Sequence, residues 1–284
     1  MAWLVLRRLE ILLFHSAKET AMYAKLRKIF SLAVLATAIC AGAAQAQTPA
    51  PATPAPEAKP DYAITGNFGI YSQYVFRGLT QTDQKPAFQG GFDYANTNGI
   101  YLGTWGSNIS WLHDAGVCNH GCSLEWDLYG GWKYAINDDW GTDIGVLYYY
   151  YPGSYADGVT KPDTTEIYAA VAWKWVSLKY SYSVDHTFGV PDTAGYLDLS
   201  ANYPINDAWT LNAHVGRQDY QGSTNGVSND VFDYTDWKLG LTWVVAGYNI
   251  GAYYTDTNAK DAGYTLAGRN IGKATGTVFI QKTF

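Results

Sequence analysis

From Tyr62 to the C-terminus apolar residues recur at a spacing of two, the period of strands with one apolar face. In SLEWDLYGGWKY one face reads Leu124, Trp126, Leu128, Gly130, Trp132, Tyr134, and the other Glu125, Asp127, Tyr129, Gly131, Lys133. DWKLGLTWVV separates Trp237, Leu239, Leu241, Trp243 and Val245 from Lys238, Gly240, Thr242 and Val244. WTLNAHVG separates Trp209, Leu211, Ala213 and Val215 from Thr210, Asn212, His214 and Gly216. The alternation predicts about twelve strands: 62–76, 86–95, 98–109, 123–135, 139–151, 163–173, 175–184, 195–203, 208–217, 234–244, 247–256 and 273–284. Most are close to the ~9–11 residues with which a tilted strand crosses a bilayer.

The connections alternate in length. Short turns at NTNG, INDD, Lys174, PINDA and VAG alternate with long segments at 77–85, 110–122, 152–162, 185–194, 218–233 and 257–272. Together with an even strand count, this predicts an all-β, up-and-down antiparallel transmembrane barrel, with short turns on one rim and long loops on the other. The chain also repeats. DLYGGWKYAINDDWGTDIGV matches DLSANYPINDAWTLNAHVG, aligning Ile136-Asn137-Asp138 with Ile205-Asn206-Asp207 and Trp140 with Trp209; downstream, Trp173 corresponds to Trp243. The unit is roughly four strands, and GFDYANTNGIYLGTW reads as a third copy. Three such units suit a closed ring of twelve strands better than a propeller, which takes about four blades or more.

The first 46 residues read as targeting sequence. Counted from Met22, Lys25, Arg27 and Lys28 form a positive segment, 29–41 an apolar one, and Ala44-Gln45-Ala46 a cleavage site, so residues 1–21 are an upstream extension. Cys40 follows Ile39 where a lipoprotein signal needs a small residue, which disfavours lipidation. QTPAPATPAPEAKP, within 47–61, reads as a semi-extended linker, and 62–284 as the barrel. The composition agrees: 48% of residues are hydrophobic and 16% aromatic, yet the mean hydropathy is only -0.17. That is the signature of fine alternation, and no apolar run of helical-span length lies outside the targeting region. Residues 1–46 hold six of the 19 Lys/Arg and two of the 25 Asp/Glu, so 13 basic and 23 acidic residues remain, a net charge near -10. Nucleic acid is thereby disfavoured as a partner, since its binding needs clustered Lys/Arg. The ending TVFIQKTF places Val278, Ile280 and Phe284 on one face, interrupted by Lys282. A terminal aromatic on an amphipathic strand reads as a signal to the barrel-assembly machinery.

The stretch YSQYVFRGLTQTDQKPAFQGGFDY, followed by GIYLGTWGSNI and EWDLYGGW, resembles the TorF family of outer-membrane porins, over about Asn67 to Phe284. The resemblance implies a Gram-negative outer-membrane barrel that acts as a pore, with no substrate to carry over. The insert from Cys118 to Cys122 departs from the family pattern.

Arg77 shares its face with Thr65, Asn67, Tyr71 and Gln73, opposite Ile64, Phe68, Ile70, Tyr74 and Phe76, which predicts that it points into the lumen at the loop end of the first hairpin. It reads either as a filter for solutes or as a staple tying the first loop to the wall. The same parity lines the lumen with Asp93, Glu125, Asp127, Asp143, Glu166 and Asp198, against Lys133, Lys174, Lys179 and Lys238, with His214 among them. This near balance predicts cross-lumen pairs and no ion preference; Asp127 and Asp198 are equivalent in the repeat. Cys118 and Cys122 lie near His113 and His120, but in an export compartment a disulfide is favoured over a metal site. The outward tryptophans 126, 132, 140, 173, 175, 209, 237 and 243 read as interfacial girdles ahead of a sugar-stacking platform.

Taken together these features predict an outer-membrane channel, surrounded by lipid, for passive diffusion of small solutes or ions, with no cofactor, metal or catalytic residue and an open oligomeric state. The alternatives are a non-conducting structural or adhesion barrel, a barrel lipase and a soluble periplasmic carbohydrate-binding protein. The lipase lacks a G-x-S-x-G elbow and a His/Ser pair on a lipid face. The soluble protein would have to hide many wholly apolar faces in one core.

Overall fold

The computed structural model describes residues 60–284. The expected signal peptide, Cys40 and nearly all of the linker lie outside the described residues.

Twelve antiparallel strands close into a single barrel, each paired with its sequence neighbours. They are β1 (Tyr62–Tyr71), β2 (Ala87–Asn96), β3 (Ile100–Asn108), β4 (Leu124–Ala135), β5 (Trp140–Tyr150) and β6 (Thr164–Trp173). The second half holds β7 (Val176–Ser183), β8 (Ala194–Pro204), β9 (Trp209–Tyr220), β10 (Tyr234–Val245), β11 (Tyr248–Thr257) and β12 (Thr275–Thr283). The ring closes where β1 meets β12, with Asn67 opposite Thr283 and Ile70 opposite Ile280. Beyond the strand, Phe284 and Gly66 exchange two backbone hydrogen bonds of 2.9 and 2.7 Å.

The apolar faces point outward. On β4, Leu124, Trp126, Leu128, Trp132 and Tyr134 are all 41–51% exposed, while Glu125 and Asp127, from the alternate face, are 1% and 7% exposed. β10 repeats the pattern, with Trp237, Leu239, Leu241 and Trp243 outside and Asp236 at 1%. Such an inside-out distribution exposes far more contiguous apolar surface than a protein surrounded by water carries. At the short-turn rim the ring pairs Trp132–Tyr134, Trp140–Trp173, Trp175–Tyr203 and Trp209–Trp243, at 5.2–6.3 Å between centroids, set an aromatic band along β4 to β10. Nearer the loop rim, Trp237 meets Tyr254 at 5.6 Å and Trp126 is 47% exposed. Aromatic bands bounding an apolar belt are the exterior of a barrel that spans a lipid bilayer. No described helix is long and apolar enough to cross a membrane.

The repeat is visible in the turns. Asn137 Oδ1 accepts hydrogen bonds from the backbone N–H of Asp139 and Trp140, and Asn206 Oδ1 does the same for Ala208 and Trp209. Ile136 and Ile205 each donate to the carbonyl of the following repeat tryptophan, Trp140 or Trp209. Asn supplies this local acceptor readily, which is why it recurs at the same turn position.

The structure departs from the sequence expectation at two places. The first strand ends at Tyr71, five residues before its expected limit, so Tyr74 and Phe76, placed outside by parity, lie inside the barrel. Lys174 occupies a two-residue turn with φ of 53° and pairs with Asp139 at 3.6 Å; it stands at the rim and outside the lumen, because the chain reverses there.

Candidate functional site: the barrel interior and its outer mouth

The loop 72–86, between β1 and β2, does not stay on the rim. Val75–Phe76 pairs with Leu79–Thr80 in a miniature hairpin, and Arg77 and Gly78 form its two-residue tip with φ of 46° and 78°. Two consecutive positive φ values define the tight turn whose twist matches a hairpin, and glycine takes such a value without strain. The hairpin continues inward because Tyr74 and Phe76 pack on aromatic residues: Tyr74 on Trp105 of the wall at 5.4 Å, and Phe76 on Tyr149 of the wall and Phe188 of the loop after β7, at 5.7 and 5.6 Å.

Its tip crosses the lumen. Arg77 donates from Nη2 to Glu166 Oε2 on β6 at 2.8 Å and from Nη1 to Gln218 Oε1 on β9 at 3.0 Å. Its guanidinium lies 4.1 Å from the Tyr196 ring centroid and 4.8 Å from that of Phe76. Gly78 is pressed against β10 and β11, where a Cβ would sit 2.6 Å from Asp236 Cβ and 2.5 Å from Thr257 Cγ2. The loop is also tied to its neighbours: Thr80 donates to the Ile271 carbonyl, the Gln81 carbonyl accepts from Ser110 and Trp111, and Asp83 pairs with Arg269 at 3.0 Å. Apolar clusters fill the mouth on both sides of the hairpin, one around Tyr74, Leu112, Tyr149 and Tyr151, the other around Leu79, Tyr234, Tyr264 and Ile271.

Beside the hairpin is a chamber of about 510 Å³, lined among others by Arg77, Asp127, Lys179, Asp198, His214, Asp236 and Lys238. The carboxylates in the interior are satisfied mainly by tyrosines. Glu125 accepts from Tyr74 Oη at 2.6 Å and from Tyr151 Oη at 2.9 Å. Asp93 accepts from Tyr129 Oη, and Asp143 from Tyr101 Oη, both at 2.6 Å; Tyr101 also contacts Tyr168 through their hydroxyls. Cross-lumen pairing expected from the charge balance is therefore sparse. Arg77–Glu166 is such a pair, and Lys133 approaches Asp143 at 4.0 Å with its side chain 65% exposed. Lys179 and Lys238 have no carboxylate within 4.0 Å among the described residues and rest instead on the rings of Tyr168 and Tyr253, at 3.8 and 5.4 Å. Asp127 Oδ1 is buried without a hydrogen-bond partner. Its repeat equivalent, Asp198, is differently placed, 2.6 Å from His214.

His214 lies between two carboxylates, with Nδ1 2.6 Å from Asp198 Oδ2 and Nε2 2.6 Å from Asp236 Oδ1. Ser200 Oγ is 3.3 Å from Nδ1, so Ser, His and Asp converge here, inside the lumen where parity placed His214 and away from the lipid face. The geometry does not activate the serine: Ser200 Oγ donates to Asp198 at 2.6 Å, and each imidazole nitrogen lies 2.6 Å from a carboxylate oxygen, nearer than to the serine. Asp236, Gln218 and Tyr196 complete this interior and were missed from the sequence. Asp236 was legible there, two residues before Lys238 on the same face; Tyr196 shares its face with Asp198, and Gln218 lies one residue past the expected end of its strand.

Outside the lumen, Cys118 and Cys122 form a disulfide in the loop between β3 and β4. Cys122 is fully buried in the cluster with Leu112, and His113 Nε2 lies 3.8 Å from Cys118 Sγ. No group of three or more His, Cys, Asp or Glu suited to a metal ion occurs among the described residues.

Fold and interior together define a closed, bilayer-spanning twelve-stranded barrel whose charged chamber is roofed from one end by an inward-folded loop. The chain belongs to the Gcw_chp family, described as bacterial protein of unknown function, which matches residues 55–284. No curated protein matches the chain. Among solved structures it is similar to KdgM porin, with 10% identity, 78% of this chain and 99% of that chain covered, and a TM-score of 0.47. It is similar to NanC porin at 12% identity, 78% and 98% coverage and a TM-score of 0.48. It also resembles Pseudomonas aeruginosa OprD at 12% identity, 79% and 66% coverage and a TM-score of 0.36.

Proposed function

We propose that the chain is a bacterial outer-membrane channel through which small polar solutes or ions diffuse, restricted at the external mouth by loop 72–86. The observation that carries this reading is a wall that is apolar outside and encloses a charged chamber of about 510 Å³. Charged groups kept away from water cost several kcal/mol unless paired, so a chamber holding Lys179 and Lys238 without ion pairs suits a hydrated path. The export signal and the resemblance to the TorF porins over 67–284 support the same reading. In it, Phe284 addresses the barrel-assembly machinery and the short-turn rim faces the periplasm. Twelve strands set a bore between the filled interior of eight and the wide channel of sixteen. Selection acts through fixed charges and the hairpin, and no bond is made or broken.

The rival reading, a non-conducting structural barrel, is favoured by one observation: apolar clusters pack both sides of the hairpin at the mouth. Planar-bilayer recording separates the two. The channel reading expects discrete current steps, and an Arg77→Ala variant expects larger ones. Stable insertion without steps in either protein establishes the plugged barrel, while unchanged conductance and selectivity in a conducting Arg77→Ala variant reduce Arg77 to a staple.

A further inference from the structure

Three ionisable groups in the chamber have no ion-pair partner, and they stand on different walls. Asp127 on β4 is 7% exposed, and its buried Oδ1 has no hydrogen bond. The neighbouring acids are already engaged, Glu125 by Tyr74 and Tyr151, and Glu166 by Arg77. The direct cross-strand partners of Asp127 are Trp105 on β3 and Tyr149 on β5, and both line the same cavity. A carboxylate beside aromatic residues in one cavity is the chemistry that receives an organic ammonium, by charge and by cation–π attraction.

The basic groups lie elsewhere around the ring. Lys238 on β10 is six strands from Asp127 in a ring of twelve, diametrically opposite, and Lys179 on β7 is three strands away. The acids between them, Asp198 and Asp236, are held by His214, and Asp198 also by Ser200. Both ammonium groups therefore remain available to an anion. Asp127, Lys179 and Lys238 line the same cavity, whose volume of about 510 Å³ falls in the range of small-molecule sites.

We propose that this chamber binds zwitterionic solutes that carry a separated ammonium and carboxylate, the ammonium at Asp127 and the carboxylate at Lys179 and Lys238. The inference rests on the reading of the interior as a solute path and names the class of solute that pauses there. The test is calorimetric titration of the folded barrel in detergent with 4-aminobutyrate and 6-aminohexanoate, each beside its singly charged counterparts: butyrate, butylammonium, hexanoate and hexylammonium. Removing the charge-assisted hydrogen bond at either end is expected to weaken binding about tenfold or more. At least one zwitterion should therefore bind at least that much tighter than both of its counterparts. Asp127→Asn should remove its advantage over the carboxylate alone, and Lys179→Met/Lys238→Met its advantage over the amine alone. Equal affinity of zwitterions and singly charged compounds for the unmodified protein overturns the proposal, as does a zwitterion preference that survives in both variants. Because calorimetry needs no conduction, absence of current steps in bilayers would fell the channel reading while this result stood by itself.

Discussion

Arg77 and Gly78 carry the tip of the hairpin by different physics. The guanidinium is desolvated between Phe76 and Tyr196, and its charge is answered by Glu166 at 2.8 Å. Removing one member of a buried pair strands the other, at a cost of about 3–5 kcal/mol. Arg77→Ala should therefore lower stability by that order, and Arg77→Met/Glu166→Met should recover much of the loss, both read by urea-dependent unfolding from lipid vesicles. Gly78 matters for its φ of 78° and for the missing Cβ, which would come 2.5 Å from Thr257 Cγ2. Gly78→Ala should cost about 1–3 kcal/mol and displace the hairpin, giving larger current steps in bilayers; unchanged steps with unchanged stability would contradict this account. The sequence placed Arg77 inside for a reason that does not hold. Parity was carried along a strand to residue 76, whereas the strand ends at Tyr71 and the chain then turns inward.

At the scale of the strand, alternation assigns every side chain to lipid or lumen, and substitutions should divide accordingly. Leu239 is 52% exposed on the apolar belt of β10, where an arginine faces hydrocarbon. Leu239→Arg should cost about 2–4 kcal/mol in folding into vesicles, and Thr242→Arg, on the inner face of the same strand, much less. Equal costs at the two positions would remove the lipid from the picture. Strand bounds were largely legible because each strand buries nothing on its outer face and so keeps its period from end to end. The misplacement of Lys174 comes from the rim, where the chain leaves the ladder and parity has no meaning.

The molecule as a whole is closed by its own ends, with β1 on β12 and the Phe284 backbone on Gly66. A closed hydrogen-bonded ring without an edge resists detergent, so unheated protein should migrate as a compact band on a detergent gel and shift on boiling; a single band unaffected by heating would argue against the barrel. Reduction of Cys118–Cys122 should leave that shift intact, because the disulfide lies in the loop between β3 and β4 and outside the ring, while it should speed proteolysis of that loop. The sequence by itself determined the strands, their two faces, the alternation of turns and loops and the repeat, because each depends on residues two to a few positions apart. Tertiary structure alone decided that loop 72–86 enters the lumen, that tyrosines answer most of the interior carboxylates, and that Asp127, Lys179 and Lys238 are left without ion-pair partners. Those outcomes depend on contacts such as Arg77 with Glu166 and Gln218, 89 and 141 residues apart, which only closure of the ring brings within reach.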